Sequence, residues 1–171
     1  MRIFATLIIF VAVSLLVILG FGYRAPVEYE KTKSAIYDDK IENVWKVLTT
    51  IESYPENKRD IKVVEILDKA FSNIRSWREI YENGDIREYK ILQKNTPNFF
   101  ALEMEDFKNN KKGVWEYRLE KEDSRTKLTI KEISENTSIF WRGVDVVFRR
   151  DRYIDSEFKW IRVSLFNKLL N

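Results

Sequence analysis

Two carboxylates stand out because each shares a strand face with apolar residues. Glu79 shares a strand face with Trp77 and Tyr81, and Glu132 shares one with Leu128 and Ile130. A carboxylate held beneath a sheet is a ready acid, base or ligand anchor. The opposing reading is that a bulge or strand end gives each of them water, or that Arg75 or Arg87 pairs with it. No pair of acids has the spacing of a glycosidase or a metal site. The rest of the catalytic repertoire is narrow, because the 171 residues include no histidine and no cysteine. That excludes a Ser-His-Asp triad, an HExxH zinc site, a thiolate nucleophile and any disulfide. The body beyond the first 23 residues holds only Gly84, Gly113 and Gly143, so there is no glycine-rich phosphate loop. Neither a cofactor nor a metal is expected, and no catalytic residue is assigned.

Charge narrows the partners. The net charge is +3 with 33% charged and 44% hydrophobic residues, normal for a folded body and too weakly basic for nucleic acid as the main partner. One basic cluster, Arg149, Arg150 and Arg152 with Arg142 and Lys159, has two readings. It touches anionic lipid head groups, or it is a solvated helix end paired with Asp145, Asp151 and Asp155.

The elements that must position these groups are legible from periodicity. Asp39 and Glu42 have the spacing of a capping box, and Ile41, Val44, Trp45 and Leu48 follow on one helical face. Pro55 is expected to end the pattern. Strand character follows in Ile61–Leu67, Phe71–Tyr81, Ile86–Leu92 and Phe99–Phe107. Asn83-Gly84 between two of these runs is a strong hairpin signal. After a polar turn at Asn109–Gly113, Val114–Glu122 alternates with Trp115, Tyr117 and Leu119 on one face, and Lys127–Ile133 returns. Such alternation implies an antiparallel sheet with one wet face. From Ile139 the period becomes helical. Val147, Ile154, Phe158, Ile161 and Leu165 mark one face of a long C-terminal helix, and Asp151, Arg152, Asp155, Lys159 and Arg162 mark its wet side. Gly143 is expected to separate an earlier helical turn from it.

At the other end, Ile3–Phe21 is apolar apart from Thr6 and Ser14 and carries no charge, preceded by Arg2. About 20 such residues cross a bilayer core. The segment reads as a single-pass signal anchor, residues 1–23, with a domain of residues 24–171 on the extracytoplasmic side. A cleaved signal, with Gly20 and Gly22 before the cut, and a buried core helix are the competing readings. Arg24, Lys31 and Lys33 follow the segment and make the positive-inside vote mixed. The linker is short, so the domain sits close to the membrane.

The stretch Val44-Trp45-x-Val47-Leu48-Thr49 followed by Tyr54-Pro55 resembles the first helix of the START-like, or SRPBCC, superfamily, which includes polyketide cyclase/dehydrase-like proteins. Many members continue Glu-Trp after Tyr-Pro, whereas this chain has Glu56 and Asn57. Trp115-Glu116-Tyr117-Arg118-Leu119 and Lys127-Leu128-Thr129-Ile130 look like the superfamily's penultimate hairpin, so the similarity covers roughly residues 27–170. The resemblance implies an α+β helix-grip fold, in which a curved antiparallel sheet wraps around the long C-terminal helix and leaves a ligand cavity between them. It nominates as cavity lining Trp77, Glu79, Tyr81, Tyr89, Phe100, Leu102, Met104, Trp115, Tyr117, Leu128, Ile130, Glu132, Ile154 and Phe158. Read singly, each of these fills a dry core equally well. The function implied is a membrane-tethered binding domain for a small hydrophobic ligand such as a lipid, quinone or isoprenoid. The alternatives are a cyclase or hydratase using Glu132 or Glu79 as its acid–base group, and a structural module with a closed interior.

Overall fold

A computed structural model describes residues 2–58, 60–71, 73–148 and 152–169. Helix α1 (Arg2–Arg24) carries the apolar run, and it is long and apolar enough to cross a membrane. Strand β1 (Glu28–Tyr37) follows, then α2 (Ile41–Thr49), a 3-10 turn (Ile51–Ser53) and α3 (Tyr54–Asn57). Six strands come next: β2 (Ile61–Ala70), β3 (Asn73–Tyr81), β4 (Ile86–Asn95), β5 (Phe99–Asp106), β6 (Lys111–Glu122) and β7 (Arg125–Asn136). Helices α4 (Ile139–Val147) and α5 (Arg152–Leu169) complete the chain.

The seven strands form one antiparallel sheet in the order β1-β7-β6-β5-β4-β3-β2. Period-two patterning builds it as expected. Trp115, Tyr117 and Leu119 on β6 and Leu128, Ile130 and Glu132 on β7 all turn inward and are buried. Gly84 adopts φ 81 in the β3–β4 turn, the left-handed conformation for which the Asn-Gly pair is suited. The inner face of the sheet receives α2 through Val44, Trp45 and Leu48 and α5 through Ile154, Ile161 and Leu165, in one core. Tyr37 Oη donates to the Phe158 carbonyl at 3.2 Å and fastens β1 to α5. This is the helix-grip arrangement.

Several local expectations change. Helix α2 starts one residue late for a box on Asp39. Lys40 occupies the N-cap position without a side-chain bond, and the Asp39 carboxylate instead accepts from Lys40 N at 2.8 Å and Asn43 Nδ2 at 2.6 Å. Pro55 opens α3 rather than ending a helix, because proline's fixed φ and missing N–H suit a first turn. Lys111, assigned to a turn by its polar neighbours, begins β6 and is buried. Gly143 does not separate two helices. It lies inside α4, whose C-cap is Phe148, and Val147 is exposed on α4 instead of continuing the buried face of α5.

The reason for Gly143 lies in α1. A Cβ on Gly143 would collide with the Ile18 carbonyl, and a Cβ on Gly22 would collide with the Ile139 carbonyl. The two helices therefore cross with backbones in contact, a geometry that small residues permit. Arg142, expected in a basic surface patch, is buried at this crossing. Its Nε donates to the Gly22 carbonyl at 3.0 Å, and Nη1 donates to the Asn136 and Thr137 carbonyls at 3.2 and 3.0 Å. It thus satisfies one of the last carbonyls of α1, which lack intrahelical donors, with a charge suited to that end of the helix dipole. Arg149, Arg150 and Asp151 of the expected cluster lie outside the described residues, as does the side chain of Arg152. Asp155 pairs with Lys33 at 2.6 Å.

Candidate functional site: an aromatic cavity with a charged row at one end

Between the sheet and α5 lies a cavity of about 810 Å³, within the usual range for a small-molecule site. Of the residues nominated from the sequence, Trp77, Glu79, Tyr81, Tyr89, Leu102, Met104, Trp115 and Tyr117 line it. The other six are not among its walls. Phe100, Leu128, Ile130, Ile154 and Phe158 pack in the hydrophobic core, where helix and sheet close directly on each other. Glu132 is fully buried, and its Oε1 accepts from Lys111 Nζ at 2.6 Å, Tyr29 Oη at 2.8 Å and Ser134 Oγ at 2.8 Å. One oxygen of this carboxylate is therefore tied, while Oε2 is buried with no hydrogen-bond partner among the described residues, and its cation is Lys111 rather than Arg75 or Arg87.

The aromatic wall is ordered by ring contacts. Trp77 stacks on Tyr89 with centroids 5.1 Å apart and 9° between planes. Trp115 stacks on Tyr117 at 6.4 Å, and Tyr54 meets Trp77 edge-on at 6.4 Å. Leu102 and Met104 on β5 complete an apolar floor. Apolar ligand surface placed here gains about 2.5 kcal/mol per 100 Å² removed from water, at about 25 cal/mol per Å².

Strand register gathers charge at one end of this floor. Asp106 on β5 faces Lys111 on β6 and Arg87 on β4, and Arg87 lies one pair from Ile86, which faces Ile80 beside Tyr81. Arg87 Nε donates to Asp106 Oδ2 at 2.9 Å, and Arg87 Nη1 donates to Tyr81 Oη at 3.0 Å. Tyr81 Oη in turn donates to Glu79 Oε2 at 2.7 Å, and Trp77 Nε1 donates to Glu79 Oε1 at 3.2 Å. Glu79 is thus a buried carboxylate in the cavity wall, and among the described residues its hydrogen-bond donors are neutral. Burial first, and then the Glu79 charge, push the Tyr81 and Tyr89 hydroxyls far above the ordinary tyrosine range. Both remain protonated donors at any physiological pH. Burial works against the charge on Arg87, but its electronegative surroundings, with the Asp106 carboxylate at 2.9 Å, more than offset it and raise its pKa. A second polar group sits across the cavity on α5. Glu157 accepts from Lys58 Nζ at 3.2 Å and from Trp160 Nε1 at 2.8 Å, while Lys58 Nζ lies 4.4 Å from the Tyr54 ring centre and 4.5 Å from that of Trp160.

Arg87, Asp106, Lys111, Lys58, Glu157 and Trp160 were not among the nominated lining residues. For three of them a signal existed. Asp106 continues the inward run of Phe100, Leu102 and Met104 at period two, and Tyr153, Glu157 and Trp160 recur at four and three residues along one helical stripe. Lys111 was hidden by the turn-like composition of Asn109–Gly113.

No protein-family model matches the sequence, and no curated protein matches it. Its fold, in contrast, is widely shared. The Zhui aromatase/cyclase from Streptomyces sp. R1128 superposes with a TM-score of 0.68 at 12% identity, over 83% of this chain and 96% of that one. A START superfamily protein from Mycobacterium smegmatis gives 0.64 at 11% identity, over 81% and 97%. Norcoclaurine synthase from Thalictrum flavum gives 0.64 at 7% identity, over 85% and 90%. These likenesses identify the START-like helix-grip fold, and at such identities they speak for fold alone.

Proposed function

We propose that this protein is a membrane-tethered binding domain for a small hydrophobic molecule of the lipid, quinone or isoprenoid kind. In this reading residues 1–23 form a single-pass anchor, and residues 24–171 form the ligand domain on the extracytoplasmic side. The observation that carries the binding role is the cavity of about 810 Å³, walled by Trp77, Tyr89, Leu102, Met104, Trp115 and Tyr117. Its cations Arg87, Lys58 and Lys111 are paired, with Asp106, Glu157 and Glu132 respectively, so they orient a ligand rather than solvate it. A retained anchor is supported by the interlocked Gly22 and Gly143 and by the Arg142 bond to Gly22. Removing α1 would take away one of the acceptors that Arg142 needs, and a buried cation short of acceptors is expensive.

The test is native mass spectrometry of the full chain extracted in mild detergent. A co-purifying small molecule is expected. Met104→Trp, which fills the cavity with a larger apolar side chain, is expected to lose that mass while keeping the circular dichroism of the parent. Failure of the parent to carry or take up any lipid, quinone or isoprenoid probe would remove the proposal.

One observation favours a second reading, a cyclase or hydratase: Glu79 sits in the cavity wall beside two protonated phenols. Glu79→Gln separates the two. Loss of turnover with ligand still bound supports catalysis, whereas unchanged chemistry with weakened binding supports an orienting role.

A further inference from the structure

Helix α4 is inside out. Its buried residues are Arg142, Gly143 and Asp145, while Ile139, Phe140, Val146, Val147 and, at the C-cap, Phe148 are exposed. A helix of a water-facing domain shows the opposite distribution. The position of α4 on α1 explains the inversion. Gly143 meets α1 at Ile18 and Ile139 meets it at Gly22. Ile18 precedes the terminal Arg24 of α1 by six residues, about 9 Å at 1.5 Å per residue. If α1 spans a bilayer with Arg24 at the surface, its contact with α4 lies within the acyl boundary, the depth of about 5–10 Å to which interfacial helices bury their apolar faces. Because the exposed apolar surfaces of the two helices adjoin, one medium covers both.

We infer that α4 is a second membrane-contacting element, seated at the bilayer boundary beside α1 with Ile139, Phe140, Val147 and Phe148 in lipid. It rests on the reading of α1 as a retained anchor. Its consequence concerns the cavity. α1 enters the sheet at Glu28, and α4 leaves it at Asn136, opposite Lys111. That edge of the sheet is the one that carries Lys111, Asp106, Arg87 and Tyr81. The exposed residues that rim the cavity from the sheet side, Asp60, Glu82 and Asn83, lie in the loops of this same edge. With α4 in the interface, the charged end of the cavity faces the bilayer, and the ligand enters from the membrane rather than through bulk water.

The chain has no cysteine, so single cysteines can be placed without background. Four full-length variants, Phe10→Cys, Val147→Cys, Phe148→Cys and Phe71→Cys, are spin-labelled and reconstituted into nanodiscs of phosphatidylcholine and phosphatidylglycerol. Phe71 is fully exposed at the opposite sheet edge and serves as the water standard. Relaxation by oxygen is compared with relaxation by a water-soluble nickel complex. The labels at 147 and 148 are expected to show an oxygen-to-nickel ratio several-fold above that at 71 and to approach that at 10. Labels at 147 and 148 that match 71 while 10 is in lipid would overturn the placement of α4 and leave the anchor standing. Labels at 147 and 148 shielded from both reagents would overturn it in favour of a covering protein chain. A water-accessible label at 10 would overturn the anchor and the inference together.

Discussion

Glu132 and Glu79 carry the same charge in different settings. Among the described residues the Glu132 carboxylate has a single cation, Lys111, and both are buried on the inner face of β6 and β7. Breaking such a pair from one side leaves a bare charge in the interior and costs about 3–5 kcal/mol, whereas replacing both members with apolar groups is often neutral. Glu132→Leu is therefore expected to lower the urea midpoint strongly, and Lys111→Met combined with Glu132→Leu is expected to recover most of the loss. A double variant as unstable as the single one would show that Lys111 and Glu132 do not act as a pair. Glu79, held by Trp77 and Tyr81, has no such cation among the described residues, and the sequence alone did not distinguish the two acids. Both share a strand face with apolar residues at period two. Only the pairing of β6 with β7 brings Lys111 within reach of Glu132, and only the gap between the sheet and α5 gives Glu79 a cavity to face.

At the scale of elements, the two helices that meet at α1 and α4 depend on glycine. Gly22 and Gly143 each stand where a methyl group would overlap a backbone carbonyl of the other helix, whereas Gly20 has open space around its missing side chain. Gly22→Ala and Gly143→Ala are expected to push α1 from α4 and to lower the thermal midpoint of the detergent-solubilised chain. Gly20→Ala is expected to leave it unchanged or raise it slightly, since alanine is favoured over glycine inside a helix by about 1 kcal/mol. Equal effects at all three positions would mean that the crossing is not close-packed. In the sequence, Gly143 looked like punctuation between helices. Interior glycine has two physical causes, weak helix propensity and close approach, and one chain position does not say which applies.

For the whole molecule, the hydroxyls of Tyr29, Tyr37, Tyr54, Tyr81, Tyr89 and Tyr117, six of the eight tyrosines, are raised above their ordinary range, chiefly by burial. The folded value exceeds the unfolded one, so the stabilisation from keeping these phenols neutral is complete below about pH 10, the unfolded value, and is lost as pH rises beyond it. Ultraviolet titration at about pH 11 is expected to detect only a minority of phenolates in the native protein and all eight after unfolding in denaturant. The urea midpoint is expected to fall steadily over the same alkaline range. Eight phenolates appearing together near pH 10 in folded protein would contradict an aromatic interior of this kind.

Periodicity alone determined the kinds of element and most of their inward faces, because alternation and helical spacing reflect local backbone geometry. The apolar run Ile3–Phe21, the Asn83-Gly84 turn and the inward stripe of Trp115, Tyr117 and Leu119 were legible on that basis, and the START-like resemblance supplied the grip of sheet on helix. Tertiary structure decided what local patterns leave undetermined. It showed which inward residues meet and which leave a gap, so that Leu128 and Ile130 close the core while Leu102 and Met104 floor a cavity. It also showed that Arg142 and Asp145 are hidden while Phe140 and Val147 are exposed. The physical reason is that a side chain's surroundings are set by elements distant in the chain. Burial, ion pairing and empty space are properties of the assembled molecule.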